Sequence, residues 1–156
     1  MSPAPSAEDI AKWNRWFAVE LNNQAWTLAE NPELTSAQRE EMLHAAHAAA
    51  FHWSRIGTEL HKARCDMLLG LVHALLGNGT LAMVYARRSQ EYVGSHPSPD
   101  WEIALAHAVL AHAAYAAGDV PLHAKQYVLA RDCGAAISDE NDRAIFTSTF
   151  DRVPRP

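Results

Sequence analysis

Residues 67–79 read MLLGLVHALLGNG, an apolar run interrupted only by His73 and then ended by a turn sequence. A second run, residues 103–118, reads IALAHAVLAHAAYAAG and is alanine-rich on every side apart from His107 and His112. A helix that is apolar all round must be covered all round. We therefore predict that these two segments form the third and fifth helices of the chain and lie at its centre.

Glycine and proline divide the chain into seven segments with helical periodicity. Proline ends helices, glycine favours the position just after a helix end, and the Val, Ile and Thr clusters typical of strands are scarce. The segments themselves are rich in alanine, the strongest helix former. An all-α fold follows, with predicted helices over about residues 7–30, 36–55, 59–76, 81–93, 99–117, 119–132 and 139–153. Predicted helix starts are Ser6 with Asp9 three residues on, the capping-box pair Thr35 and Gln38, Asp119 for the sixth helix and Ser138 for the seventh.

The whole chain, residues 1–156, is predicted to be a single helical domain. A chain of 156 residues that is 49% apolar can bury a sizeable core but is short for two domains. The terminal stretches, residues 1–6 and 152–156, are expected to be flexible because they lie at the chain ends.

Composition excludes several classes of protein. No apolar run is long enough to span a membrane. Thirteen basic residues against eighteen acidic ones give a net charge of −5, so no basic surface for nucleic acid or anionic lipid is expected. Two cysteines are too few for a disulfide framework, and the first residues lack the pattern of a signal peptide. A cytoplasmic location is the expectation.

A weak internal repeat relates the third and fourth predicted helices to the fifth and sixth. At an offset of 41 residues, Leu69-Gly70 aligns with Leu110-Ala111, Gly77 with Gly118, and Leu81 with Leu122. The order of Leu69-Gly70, a turn glycine at Gly77 and a small residue at Ala82 resembles the tetratricopeptide-type (TPR) helical hairpin over about residues 63–135. The resemblance implies stacked antiparallel hairpins, as a TPR-like α-solenoid or a compact bundle. It also implies a binding or scaffolding role for a concave face formed by the first helix of each pair.

Histidines on the second predicted helix suggest one possible metal site. Glu41, His44 and His47 follow one another at three-residue spacing, which makes successive members neighbours on a helix. Such side chains can ligate a divalent metal such as zinc, with His107 or His112 completing the site from another helix. The alternative, which we favour, is that these imidazoles hydrogen-bond within the protein, as buried polar groups normally do.

Three further histidines interrupt the two central apolar runs. His73, His107 and His112 each need a partner or a solvated pocket, because an unpartnered buried imidazole costs about 1–3 kcal/mol. They define a candidate ligand-binding groove between the central helices. Hydrogen bonding between hairpins is the alternative reading.

Five tryptophans are many for a chain of this length, and three lie on the first predicted helix. Trp13 falls on the apolar stripe and is predicted to be part of the core. Trp16 lies nearer the polar side and, with Asn23, forms a candidate binding surface for a partner or ligand. The alternative is that the tryptophans add bulk to an alanine-rich core.

Catalytic and phosphate-binding motifs are missing from the sequence: there is no Gly-x-Ser-x-Gly, no phosphate-cradling loop and no dinucleotide fingerprint. We therefore expect a non-enzymatic module for protein–protein interaction or assembly, with a protein partner or self-association as a homodimer. No cofactor is favoured. The alternative function is a helical bundle that binds a metal or small ligand through its His/Glu cluster.

Overall fold

A computed structural model describes residues 4–156 and confirms the all-α fold. Within these residues there is no strand, and the helices number seven as predicted. In chain order they are α1 (Ala7–Glu30), α2 (Ser36–Ile56), α3 (Glu59–Leu75), α4 (Gly79–Ser95), α5 (Asp100–Ala117), α6 (Val120–Ala135) and α7 (Glu140–Phe150).

Consecutive helices pack as three hairpins, α1 with α2, α3 with α4 and α5 with α6. The helices α3 and α5 occupy the centre, as predicted: α3 also contacts α1, α2 and α5, while α5 also contacts α4 and α7. Every residue from Met67 to Ala74 is buried, and so is every residue from Ala104 to Ala114 except His107. Neighbouring helices therefore surround these parts of the two apolar runs on all sides.

Most helix starts follow the predicted capping chemistry. Ser6 and Asp9 form a capping box at α1, and Thr35 and Gln38 form one at α2. Asp119 caps α6 by accepting a hydrogen bond from the backbone N–H of Leu122. These caps satisfy amide donors that the first turn of a helix leaves without partners.

Several boundaries differ from prediction by one to three residues. The Asn78 side chain caps α4, so α4 begins at Gly79, and Asp139 caps α7 rather than Ser138. The helix α6 continues through Gly134 to Ala135, and the ring of Phe146 lies where a side chain at position 134 would project. Gly134 serves a helix contact there rather than a helix end.

The first three residues of the tail expected to be flexible, 152–156, contact the helices instead. The Arg152 guanidinium donates to the Ala29 carbonyl, Val153 is buried, and the Pro154 carbonyl lies 2.8 Å from Nε2 of His123. Residues 1–3 lie outside the described part of the chain, whereas Ser6 is ordered into the α1 cap.

The two hairpins of the internal repeat share their turn geometry. Gly77 and Gly118 both adopt a positive φ, at 77° and 75°, which residues other than glycine rarely adopt. Each follows one of the central helices and reverses the chain into the next helix.

We expect Gly70→Leu to lower the free energy of unfolding by about 1–3 kcal/mol or more, since overpacking a tight contact forces the backbone apart. A Cβ at Gly70 would already lie 3.0 Å from the Ala86 backbone nitrogen and 3.1 Å from a methyl of Val109. Urea unfolding followed by circular dichroism measures the change. The matched control is Gly94→Leu, because no atom lies within 4 Å of a Cβ at Gly94. Equal stability of the two variants would contradict the close approach of α3 to α4 and α5.

Candidate functional site

A cavity of about 700 Å³ lies on the side of the molecule shared by the first helices of the three hairpins. We call it the Trp cavity. Its lining comes from α1, α3 and α5, with further residues from α7 and the last turn of α2. The volume falls within the range of about 300–1,000 Å³ usual for ligand sites.

Three half-buried tryptophans form apolar walls of the Trp cavity: Trp26 from α1, Trp53 from α2 and Trp101 from α5. The His61 ring stacks on Trp53, with ring centroids 4.1 Å apart and planes inclined by 16°. Between them these rings provide large, rigid surfaces that lose little conformational entropy when a ligand binds.

An ion pair joins α3 to α5 in the cavity lining. Nε of Arg64 donates to Oε1 of Glu102 at 2.7 Å. The Glu102 side chain is only 3% exposed, whereas that of Arg64 is 44% exposed. A buried carboxylate needs a charge partner, and the first turn of α5 adds a favourable helix dipole. The Arg64 guanidinium also lies 5.9 Å from the centroid of Trp101.

The thiol of Cys65 also faces the Trp cavity but is poorly suited to nucleophilic chemistry. Burial, and next the negative charge of Asp66, raise its pKa to about 12. Since the thiolate is the reactive form, the group is a protonated thiol at neutral pH.

His73 pairs with His47 across α2 and α3. Their Nε2 atoms are 3.1 Å apart, and the Tyr85 ring stacks on His73 at 5.6 Å between centroids. Burial lowers the pKa of both imidazoles; His44 lowers the pKa of His47 further, and His47 that of His73. With both rings neutral, one donates to the other.

The other two histidines of the predicted groove have different neighbours. Nδ1 of His107 lies 2.7 Å from Oε1 of Gln126 on α6. His112 is buried, and its Nδ1 has no hydrogen-bond partner in the described part of the chain. Burial, followed by the positive charge of Arg152 and by His123, lowers the pKa of His112 to about 4. The geometry thus gives His73 and His107 side-chain partners within the protein and does not unite the three histidines around one groove.

The suggested metal ligands are not brought together. Glu41 accepts a hydrogen bond from Gln24, and exposed His44 lies 3.6 Å from Glu40, while His47 turns to His73. Across residues 4–156 no three His, Cys, Asp or Glu side chains are grouped so that they could hold a metal ion. Residues 41 and 47 are six apart, which places them on different sides of α2.

Of the two candidate binding residues on α1, only Asn23 lines the Trp cavity, beside Asn22. Trp16 lies two turns earlier along the same helix and outside the cavity lining; it is 58% exposed, with its ring 4.9 Å from that of Phe17. Trp13 is 51% exposed, so its predicted place in the core is wrong. Ala18, Ala25 and Ala29 form the buried face of α1 instead.

Sequence reasoning missed the Arg64–Glu102 pair and the walls formed by Trp53 and Trp101. One signal was available for the pair: Glu102 opens a helix predicted to be central, and a carboxylate there requires a cationic partner. Which cation it meets depends on the packing of α3 against α5.

No protein-family model, curated protein or solved structure matches the chain. None of the helices described over residues 4–156 combines the length and apolar character needed to cross a bilayer.

We expect His112→Leu to reduce the amount by which the free energy of unfolding falls at acid pH. The folded protein binds a proton at His112 less readily than the unfolded chain does, so stability is full above about pH 6.5 and is lost as the pH falls towards 4. By pH 5 this single group accounts for about 2 kcal/mol of lost stability.

The measurement is the free energy of unfolding in urea at pH 7 and at pH 5. The variant is expected to lose less stability between the two than the wild type. His96→Leu is the control, since His96 is exposed at the end of α4, and should keep the wild-type slope. An unchanged slope in His112→Leu would show that His112 is not the acid-sensitive group.

Proposed function

We propose that the chain is a non-enzymatic, TPR-like binding module that holds a segment of a partner protein in the Trp cavity. The observation that supports this proposal most directly is the position of the cavity. It is lined by α1, α3 and α5, the first helices of the three hairpins. This is the face to which the TPR resemblance assigns binding.

The lining chemistry suits a peptide segment. Tryptophan and arginine are the residue types that contribute most to the binding energy of protein interfaces. The side-chain amides of Asn22 and Asn23 can both donate and accept hydrogen bonds, as a peptide group does. The protonated Cys65 thiol is consistent with binding rather than nucleophilic catalysis.

A reducing compartment such as the cytoplasm is part of the proposal. Cys65 is a buried free thiol and Cys133 a half-buried one. Unpaired cysteines are usual where thiols are kept reduced.

We expect the double substitution Asn23→Trp and Thr27→Trp to abolish partner capture, because two indole rings added on one side of α1 would fill the mouth of the cavity. Both positions are exposed, so the fold should be preserved. The measurement is affinity capture from host lysate, quantified by mass spectrometry, with the wild type, the plugged variant and a control as baits.

The matched control adds two tryptophans elsewhere, through Val84→Trp and Arg87→Trp on the exposed side of α4. Proteins enriched on the wild type should be retained by this control and lost by the plugged variant. A partner held equally by the plugged variant would rule out the Trp cavity as its seat, and no enrichment on any bait would count against the proposal as a whole.

A separate observation favours self-association as a second role. Trp13, Trp16, Phe17 and Phe51 are between 41% and 58% exposed, and we call them the N-terminal aromatic surface. His52 joins its two helices, lying 5.3 Å from Phe17 and 5.6 Å from Phe51 between ring centroids. A group of exposed aromatic side chains of this kind is typical of a site that contacts another protein chain.

The occupant that fits the N-terminal aromatic surface is a second copy of the chain. In helical stacks the terminal units need cover. The helix α7 packs on α5, α6 and the last turn of α1, while the N-terminal half of α1 and the C-terminal part of α2 keep these rings exposed. Four half-exposed rings offer about 400 Å². Two copies with their polar rims would thus reach the roughly 1,000 Å² of a specific interface.

We expect Trp16→Glu to convert a dimer to a monomer, since a charge at the centre of an apolar contact is poorly solvated in the dimer. Sedimentation velocity over the micromolar range measures the association. Tyr115→Glu is the control, because Tyr115 is 55% exposed on α5 and lies outside this surface. A wild type that sediments as a monomer at every concentration would contradict the self-association role.

A further inference from the structure

We propose that the Trp cavity recognises a carboxylate carried on an apolar body, with Arg64 as its anchor. The carboxylate could be the C-terminus of a partner chain or that of a small organic acid, which share this chemistry. The inference rests on the proposed function, because it names the chemistry of the ligand in the same cavity.

Arg64 is held in a position suited to a second carboxylate. Its Nε is engaged by buried Glu102 at 2.7 Å, and its guanidinium lies 5.9 Å from the Trp101 centroid. The two terminal nitrogens make no hydrogen bond to any residue from 4 to 156. They form the edge of the guanidinium that binds carboxylates through two parallel hydrogen bonds. Because its hydrogen bond to Glu102 already holds the Arg64 side chain in place, that side chain loses little further conformational entropy when a ligand binds.

A second cation, Arg15, lies near Arg64 although the chain carries a net charge of −5. The charge of Glu102 is offset by Arg64 itself. After burial, the positive charges of Arg64 and Arg15 lower the pKa of His61, which shows that both cations lie close to the cavity lining. Another carboxylate of the lining, that of Glu30, is exposed and accepts a hydrogen bond from Ser148.

His61 supplies a further donor. Its Nδ1 accepts a hydrogen bond from the backbone N–H of Thr58 at 3.1 Å, so the proton of the neutral ring resides on Nε2. A neutral imidazole with Nε2–H donates to an anion and does not repel it. The polar corner of the cavity is therefore rich in donors.

The rest of the cavity is too large and too apolar for a carboxylate alone. Trp26, Trp53 and Trp101 line it together with the aliphatic side chains of Met67, Leu105 and Ile145. A ligand that fills it must carry an apolar or aromatic body beside the acid group.

The test compares acids with their uncharged amides. The probes are 4-phenylbutyrate against 4-phenylbutyramide, and the peptide acetyl-Gly-Leu-Phe with a free against an amidated C-terminus. Isothermal titration calorimetry at pH 7.5 and low salt is expected to show each acid binding about tenfold or more tightly than its amide. The acid that binds more tightly identifies the source, a chain end or a small molecule.

Two variants assign the preference to Arg64. Arg64→Met combined with Glu102→Gln removes the anchor without leaving a buried carboxylate unpaired, and it is expected to bind acids no better than amides. Arg87→Met, an exposed arginine on α4, is the matched control and should keep the preference. Circular dichroism verifies that both proteins are folded.

The outcomes separate the two proposals. Acids and amides that bind equally would overturn the carboxylate anchor and leave the binding module intact. The carboxylate anchor is also overturned, and the binding module left intact, if no probe binds while the Asn23→Trp and Thr27→Trp variant still abolishes partner capture. If no probe binds and nothing is captured, both proposals fail.

Discussion

The need to cover α3 and α5 on every side determines the architecture. Each of these helices is apolar around its whole circumference, and each is closely surrounded by its neighbours. At Gly70 in α3, the Ala86 backbone and Val109 leave no room for a side chain without displacement. Alanine is the commonest of the buried apolar residues, and small side chains let helix axes approach. The hairpin arrangement follows from this close approach.

The same constraint explains the location of the candidate site. The apolar run of α3 starts only after its first two turns and that of α5 after about its first turn, and these turns contain the polar residues His61, Arg64 and Glu102. Since α3 packs against α5, the two polar starts meet at one end of the core. The C-terminal half of α1 then adds Asn22 and Trp26. The Trp cavity forms at this boundary between the apolar core and polar side chains. It therefore has apolar walls and one polar corner.

How much could be predicted from sequence depends on the range of the interaction. The helix number, the capping boxes at Ser6 and Thr35 and the central place of α3 and α5 follow from local spacing and periodicity, and they are confirmed. The Arg64–Glu102 pair spans 38 residues, so local patterns do not contain it. Periodicity predicts which face of its helix a residue occupies, but not which residue it contacts. The sequence therefore groups His73, His107 and His112, although their partners in the fold differ.

The tryptophans show why the bulk of a residue is a poor guide to its place in this fold. None of the five belongs to the fully buried core; three line the Trp cavity and two lie on the N-terminal aromatic surface. An indole ring between two alanine-lined helices would push them apart, at a cost comparable to overpacking elsewhere in a core. In an alanine-packed bundle the indole rings therefore fit where helices diverge or where packing ends. Divergent helices leave room for a ligand, and an end of the stack leaves room for another chain, so the same packing rule places the aromatic residues at both proposed contact sites.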